Sequence, residues 1–87
     1  MDRDEESAAL YVVALTSDAD DEGILEGADT VRLAPGLYLV RTSAPQSRLY
    51  HAVKREAKPS ELFVGRLDGD PKFKGMSEGA LKWLRRR

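Results

Sequence analysis

The stretch from Thr30 to Thr42, TVRLAPGLYLVRT, constrains the fold more than any other. Pro35-Gly36 at its centre suits the middle pair of a type II turn, because proline presets φ and glycine supplies φ > 0. Val31 and Leu33 alternate on one arm. Tyr38 and Val40 alternate with Leu37 and Leu39 on the other. Two alternating arms around such a turn predict a β-hairpin.

The segments on either side supply the rest of a small sheet. Ala8 to Thr16, AALYVVALT, is a continuous apolar run rich in β-branched residues. It is too short for a buried helix and reads as a central strand covered on at least one face. After the hairpin, Ser43-Ala44-Pro45-Gln46 matches a capping box with proline in the first turn. Leu49, Ala52, Val53 and Ala57 then recur at helical spacing, up to a stop before Pro59. Glu61 to Leu67, ELFVGRL, is a further strand, in which Gly65 allows a bulge or close packing. Asp68-Gly69-Asp70-Pro71 reads as a turn leading into a mobile loop whose tip carries Lys72, Phe73 and Lys74. Ser77 is expected to cap a last helix over Glu78 to Arg87, with Met76 and Leu81 as a hydrophobic staple and Ala80, Leu81 and Leu84 as the apolar stripe.

With a short helix after Ser17, this order makes an α+β protein: a ferredoxin-like βαββαβ antiparallel sheet with helices on one face and an extra C-terminal helix. The first and last core strands are expected in the middle of the sheet. The other face is open unless the C-terminal helix or a second subunit covers it. Residues 1–7 are expected to be a flexible acidic N-terminus and residues 8–87 a single domain.

Eighty-seven residues make one domain with a modest core, so dimerisation would help it. Charged residues at 33% against 41% apolar place it among globular rather than disordered chains. The absence of cysteine removes disulfides, zinc-thiolate sites and thiol nucleophiles together. The apolar run Ala8 to Leu15 is far short of the ~20 residues that span a membrane, and the acidic N-terminus lacks a signal pattern. The expectation is a cytoplasmic protein with no membrane partner.

The formal charge of −1 hides an asymmetry. Residues 1–30 carry ten acids and one base, a sum of −9, whereas residues 31–87 carry thirteen bases and five acids, a sum of +8. Either the basic part faces a polyanion, or the two parts neutralise each other within or between chains.

Much of the negative charge lies in Ser17 to Gly23, SDADDEG. Three readings stand. In the first, Ser17 caps a helix whose first-turn acids favour its positive end, with Ile24 and Leu25 buried and Gly27 as the stop. This accounts for every residue without a ligand. In the second, Asp18, Asp20 and Glu22 fill positions 1, 3 and 5 of a calcium loop, with Gly23 at position 6 and Asp29 at position 12. Against it, the preceding segment is strand-like, and aspartate chelates less readily than glutamate at the last position. In the third, Asp18 with Asp20 or Asp21 holds a divalent metal for catalysis at the end of the first strand.

A first strand like LYVVAL, a hairpin entering LYLVRT, a strand like ELFVGRL and a terminal helix with KWL together resemble the small proteins of the CRISPR adaptation nuclease and VapD group. The resemblance covers residues 8–87. It implies a ferredoxin-like homodimer that either cleaves nucleic acid with a divalent metal or binds it without cleavage. Aligning Tyr11-Val12-Val13 with that group's first strand puts Ser17 where the group has its acid, and Asp18 one residue beyond. Such a shift changes the face of a strand side chain, which favours binding without cleavage.

The single histidine, His51, reads as a surface or half-buried residue on its helix, because nothing nearby supplies a nucleophile or second partner for it to act as a general base. Trp83 suits packing or a dimer contact, with stacking on a base or an arginine as the alternative. No phosphate-binding glycine loop or catalytic triad is present. The expected function is therefore a non-catalytic, dimeric, nucleic-acid-binding protein without cofactor or metal. Its contacts would come from Arg48, Lys54, Arg55, Lys72, Lys74, Lys82, Arg85, Arg86 and Arg87. The alternatives are a metal-dependent nuclease and a protein–protein module that joins through an exposed edge strand or sheet face.

Overall fold

The computed structural model describes residues 8–16 and 29–86. In chain order they form β1 (Ala9–Thr16), β2 (Asp29–Ala34), β3 (Leu37–Thr42), α1 (Gln46–Ala57), β4 (Glu61–Leu67) and α2 (Ala80–Arg85). The strands make one open, wholly antiparallel sheet in the order β2-β3-β1-β4. The class is α+β. The flexible N-terminus and the helix expected after Ser17 lie outside the described residues. Among the described residues, no helix is long and apolar enough to cross a membrane.

The continuous apolar character of β1 has a direct cause: both of its faces are covered. Tyr11, Val13 and Leu15 turn to one face and pack with Tyr38, Val40, Leu49 and Val53. Leu10 and Val12 turn to the other and pack against Leu33, Leu39, Ala80 and Leu84. Strand alternation thus splits the core into two layers, with α1 on one side of the sheet and α2 on the other. The buried Tyr11 keeps its hydroxyl satisfied by donating to the Ala44 carbonyl at 3.2 Å.

The hairpin forms where the sequence predicts it, with Val31 opposite Leu39 and Ala34 opposite Leu37. The register shifts between Arg32 and Ala34, and the intervening Leu33 is buried beneath α2. Gly36 adopts φ +75°, and its carbonyl accepts from the Leu15 amide at 2.8 Å. A Cβ at this position would run into the Leu15 carbonyl oxygen. The turn is therefore docked on the end of β1, and glycine is required for both conformation and space.

Several expectations are corrected. The Ser43 capping box does not form: Pro45 is the N-cap of α1, and no side chain caps it. Gln46 instead donates its side-chain amide to the Val64 carbonyl at 2.8 Å, pinning the start of the helix to β4. Leu49 and Val53 still face the sheet, and Lys58 closes the helix in the left-handed region just before Pro59.

The last core strand is not central. β4 lies at an edge, paired only with β1, while β1 and β3 hold the middle. Its outward side leaves Phe63 61% exposed. The face alternation of β4 was readable in the sequence, but pairing order depends on which neighbours compete for the middle.

The last helix is shorter than expected. It starts at Ala80 after Gly79 at φ +88°, and ends at Arg85. Ser77 does not cap it. Its hydroxyl and its amide both donate to the Leu33 carbonyl, at 3.1 and 2.9 Å, fastening the chain to β2. Ala80 and Leu84 are buried as expected, whereas Leu81 is 43% exposed and Trp83 packs in its place. Phe73, expected at a mobile tip, also packs against this layer together with Met76.

Candidate functional site

The densest polar cluster joins the start of β2, the end of β3 and α2. Arg41 follows Leu37 and Leu39 on the face that α2 covers, so the strand delivers a guanidinium under the helix. There it meets the carbonyls at the C-terminal end of α2, donating to Leu84 at 3.1 Å and to Trp83 at 3.4 Å. The Trp83 carbonyl also accepts from the Arg86 backbone amide at 3.2 Å, and the helix dipole favours a cation beside this end. The same guanidinium lies over the Trp83 ring, 4.2 Å from its centroid.

Asp29 ties the cluster together. One carboxylate oxygen accepts from the Trp83 indole N–H and from Arg86, both at 2.9 Å. The other faces Arg41 at 3.3 Å. Trp83 is thus held by a cation over its ring, a carboxylate at its nitrogen and contact with the apolar layer on the α2 side. The arrangement is also one case of the internal neutralisation that the charge asymmetry suggests: the described acid of the first thirty residues is matched to two bases of the later part.

Beside this cluster the surface forms an open hollow of about 750 Å³, lined by Gly79, Lys82, Trp83, Arg85 and Arg86. Arg41 does not line it. A second open hollow, of about 340 Å³, is lined by Phe73, Lys74, Met76 and Leu81 among others, and also reaches Gly79. The two therefore share that glycine as a lining residue. Between residues 72 and 86 the sequence carries five bases against the single acid Glu78.

The expected nucleic-acid residues fall into two groups on opposite sides of the sheet. Arg48, Lys54 and Arg55 are exposed on α1, where Lys54 also reaches the Tyr50 ring at 5.9 Å. Lys72, Lys74, Lys82, Arg85 and Arg86 are exposed on the α2 side. No single face of one chain presents all of them, since α1 and α2 pack on opposite faces. Arg87 lies outside the described residues.

Of the metal candidates, Asp18, Asp20, Asp21 and Glu22 lie outside the described residues. Asp29 has both carboxylate oxygens engaged by Arg41, Trp83 and Arg86. Among the described residues, no group of three or more His, Cys, Asp or Glu could hold a metal. His51 is exposed on α1, edge-on to Tyr50 with ring centroids 5.2 Å apart. It sits on the far side of the sheet from the Trp83 cluster.

Two organising residues escaped the sequence reading. Asp29 was placed in a calcium loop, and Arg41 was not singled out. One signal for Arg41 was present: it continues the apolar series Leu37 and Leu39 on one strand face, where a charge calls for a partner.

No protein-family model matches the chain, and no curated protein or solved structure is significantly similar to it.

Proposed function

We propose that this protein is a non-catalytic nucleic-acid-binding protein that works as a homodimer and engages its ligand on the α2 side. The observation that carries the reading is the hollow in which Lys82, Arg85 and Arg86 surround Trp83. Clustered cations supply sequence-independent attraction to phosphates, and an adjoining aromatic ring supplies a surface for a base. Lys72 and Lys74 extend the positive surface along the chain that leads into α2. The fold reading behind this proposal is ferredoxin-like: the strand order and the antiparallel pairing support it.

Binding is tested by fluorescence anisotropy of labelled duplex and single strands across a salt series. Log affinity should fall linearly with log salt, and Lys82→Ala with Arg85→Ala should flatten the slope by about 1.4 to 1.8, the contribution of two phosphate contacts. Absence of binding to either form at low salt would overturn the proposal.

A second reading has its own observation. β4 is an unpaired edge with Phe63 exposed, the kind of strand that adds a neighbour from another chain. This reading places a protein contact, or the dimer seam itself, at β4.

A further inference from the structure

We infer that the ligand of the α2 side is a single strand with unpaired bases, bound by stacking on Trp83 and with little dependence on base identity. The inference rests on the nucleic-acid reading above and narrows its substrate class.

Trp83 has one hydrogen-bond donor, the indole N–H, and it is committed to Asp29 at 2.9 Å. No donor remains on that ring to read a base edge. What it offers the hollow is apolar ring surface, since Trp83 lines the hollow while Arg41, which covers the ring at 4.2 Å, does not. Stacking on such a surface accepts every base, because every base has a π-face, but it requires the base to leave its pair. A duplex presents its phosphates outward with the bases stacked among themselves, so it can meet Lys82 and Arg85 but not the ring.

The second hollow extends the argument. It shares Gly79 with the first, and Phe73, Lys74 and Leu81 are among the residues that line it. Each hollow thus carries one aromatic residue, Trp83 or Phe73, together with bases, Lys82, Arg85 and Arg86 in the first and Lys74 in the second. That is the arrangement of a track for consecutive nucleotides: apolar surface for bases, cations for the connecting phosphates. The ring is also fixed beforehand by Arg41 and Asp29, so stacking on it orders few further groups.

Trp83 is the one tryptophan of the chain and therefore reports its own occupancy. The experiment titrates the full chain at low salt with oligothymidylate, oligoadenylate and oligouridylate, and with a duplex of matched length, following both anisotropy and tryptophan emission. The expected result is strong quenching by each single strand, with affinities within a few-fold of one another. The duplex should bind more weakly and leave the emission unchanged. Trp83→Ala should weaken single-strand binding by roughly ten-fold or more and leave duplex binding unaltered. Should that variant lose its fold, the wild-type quenching result stands alone as the test.

Binding of single strands with unchanged emission, or equal affinity for duplex, would overturn this inference and leave the nucleic-acid proposal intact. Failure of every oligonucleotide to bind would overturn both.

Discussion

The guanidinium of Arg41, near the end of a central strand, lies 4.2 Å from the centre of the Trp83 ring on a helix some forty residues later. One side chain thereby serves three partners: the ring, the Asp29 carboxylate and the carbonyls that end α2. The cation is only 17% exposed, so these contacts are poorly screened on its side.

Arg41→Met should therefore loosen α2 from the sheet. Hydrogen bonds to a charged group contribute about 1.5–3 kcal/mol where buried, and the 40% exposure of Asp29 reduces its share. The expected loss is about 1–2 kcal/mol in urea denaturation, with a red shift of Trp83 emission. An unchanged emission maximum would show that Arg41 does not hold the ring.

Asp29→Asn tests the carboxylate from the opposite direction. It removes the negative charge that occupies Arg86 at 2.9 Å, so affinity for a single strand at low salt should rise several-fold. Stability should fall by no more than about 1 kcal/mol, because the pair with Arg86 is largely exposed. Anisotropy titration and thermal denaturation read the two effects separately, and weaker binding would contradict the competition between Asp29 and phosphate.

Gly36→Ala and Gly75→Ala separate two costs of a side chain. Both glycines have φ near +76°, so each substitution forces an unfavourable backbone conformation, worth about 1 kcal/mol. At Gly75 the Cβ meets nothing, whereas at Gly36 it collides with the Leu15 backbone. Gly36→Ala should be the more destabilising by a further 1 kcal/mol or more, roughly the cost of a steric misfit. Equal denaturation midpoints would refute the docking of the turn.

Leu39→Ala probes the α2-side layer at a fully buried side chain, 1% exposed on a central strand. A loss of about 2–5 kcal/mol is expected from denaturant unfolding. For a domain of this size that is a large share of the total stability.

Phe63→Lys bears on self-association. The side chain is already 61% exposed, so the melting temperature should barely move, while a charge on an edge strand opposes addition of another strand. Sedimentation should show loss of a dimer if β4 forms the seam. A dimer that persists with unaltered affinity would place the contact elsewhere.

Much of the fold was legible because its causes are local. Pro35-Gly36 dictates a turn whatever surrounds it, and the Leu49–Val53 spacing marks the inward side of α1. The two-sided apolar run of β1 carries its central position within itself. The candidate site was only partly legible. Lys82, Arg85 and Arg86 were identifiable as bases, but that they surround a hollow with Trp83, away from Arg48, Lys54 and Arg55, follows from which face each helix covers. Ser77 looked like a helix cap by its neighbours, yet the Leu33 carbonyl, distant in sequence, outcompeted the helix end for its hydroxyl.

By itself the sequence determined the strands, the hairpin, the first helix and the uneven distribution of charge. These depend on side-chain period and backbone freedom over a few residues. Tertiary structure alone decided that β4 is an edge, that α2 lies opposite α1, and that Asp29, Arg41, Trp83 and Arg86 form one cluster. Asp29 and Arg86 are 57 positions apart, and no local preference links them. They meet because the sheet order and the packing of α2 on Leu33 and Leu39 bring the start of β2 and the end of α2 together, and the carboxylate and the bases then satisfy one another.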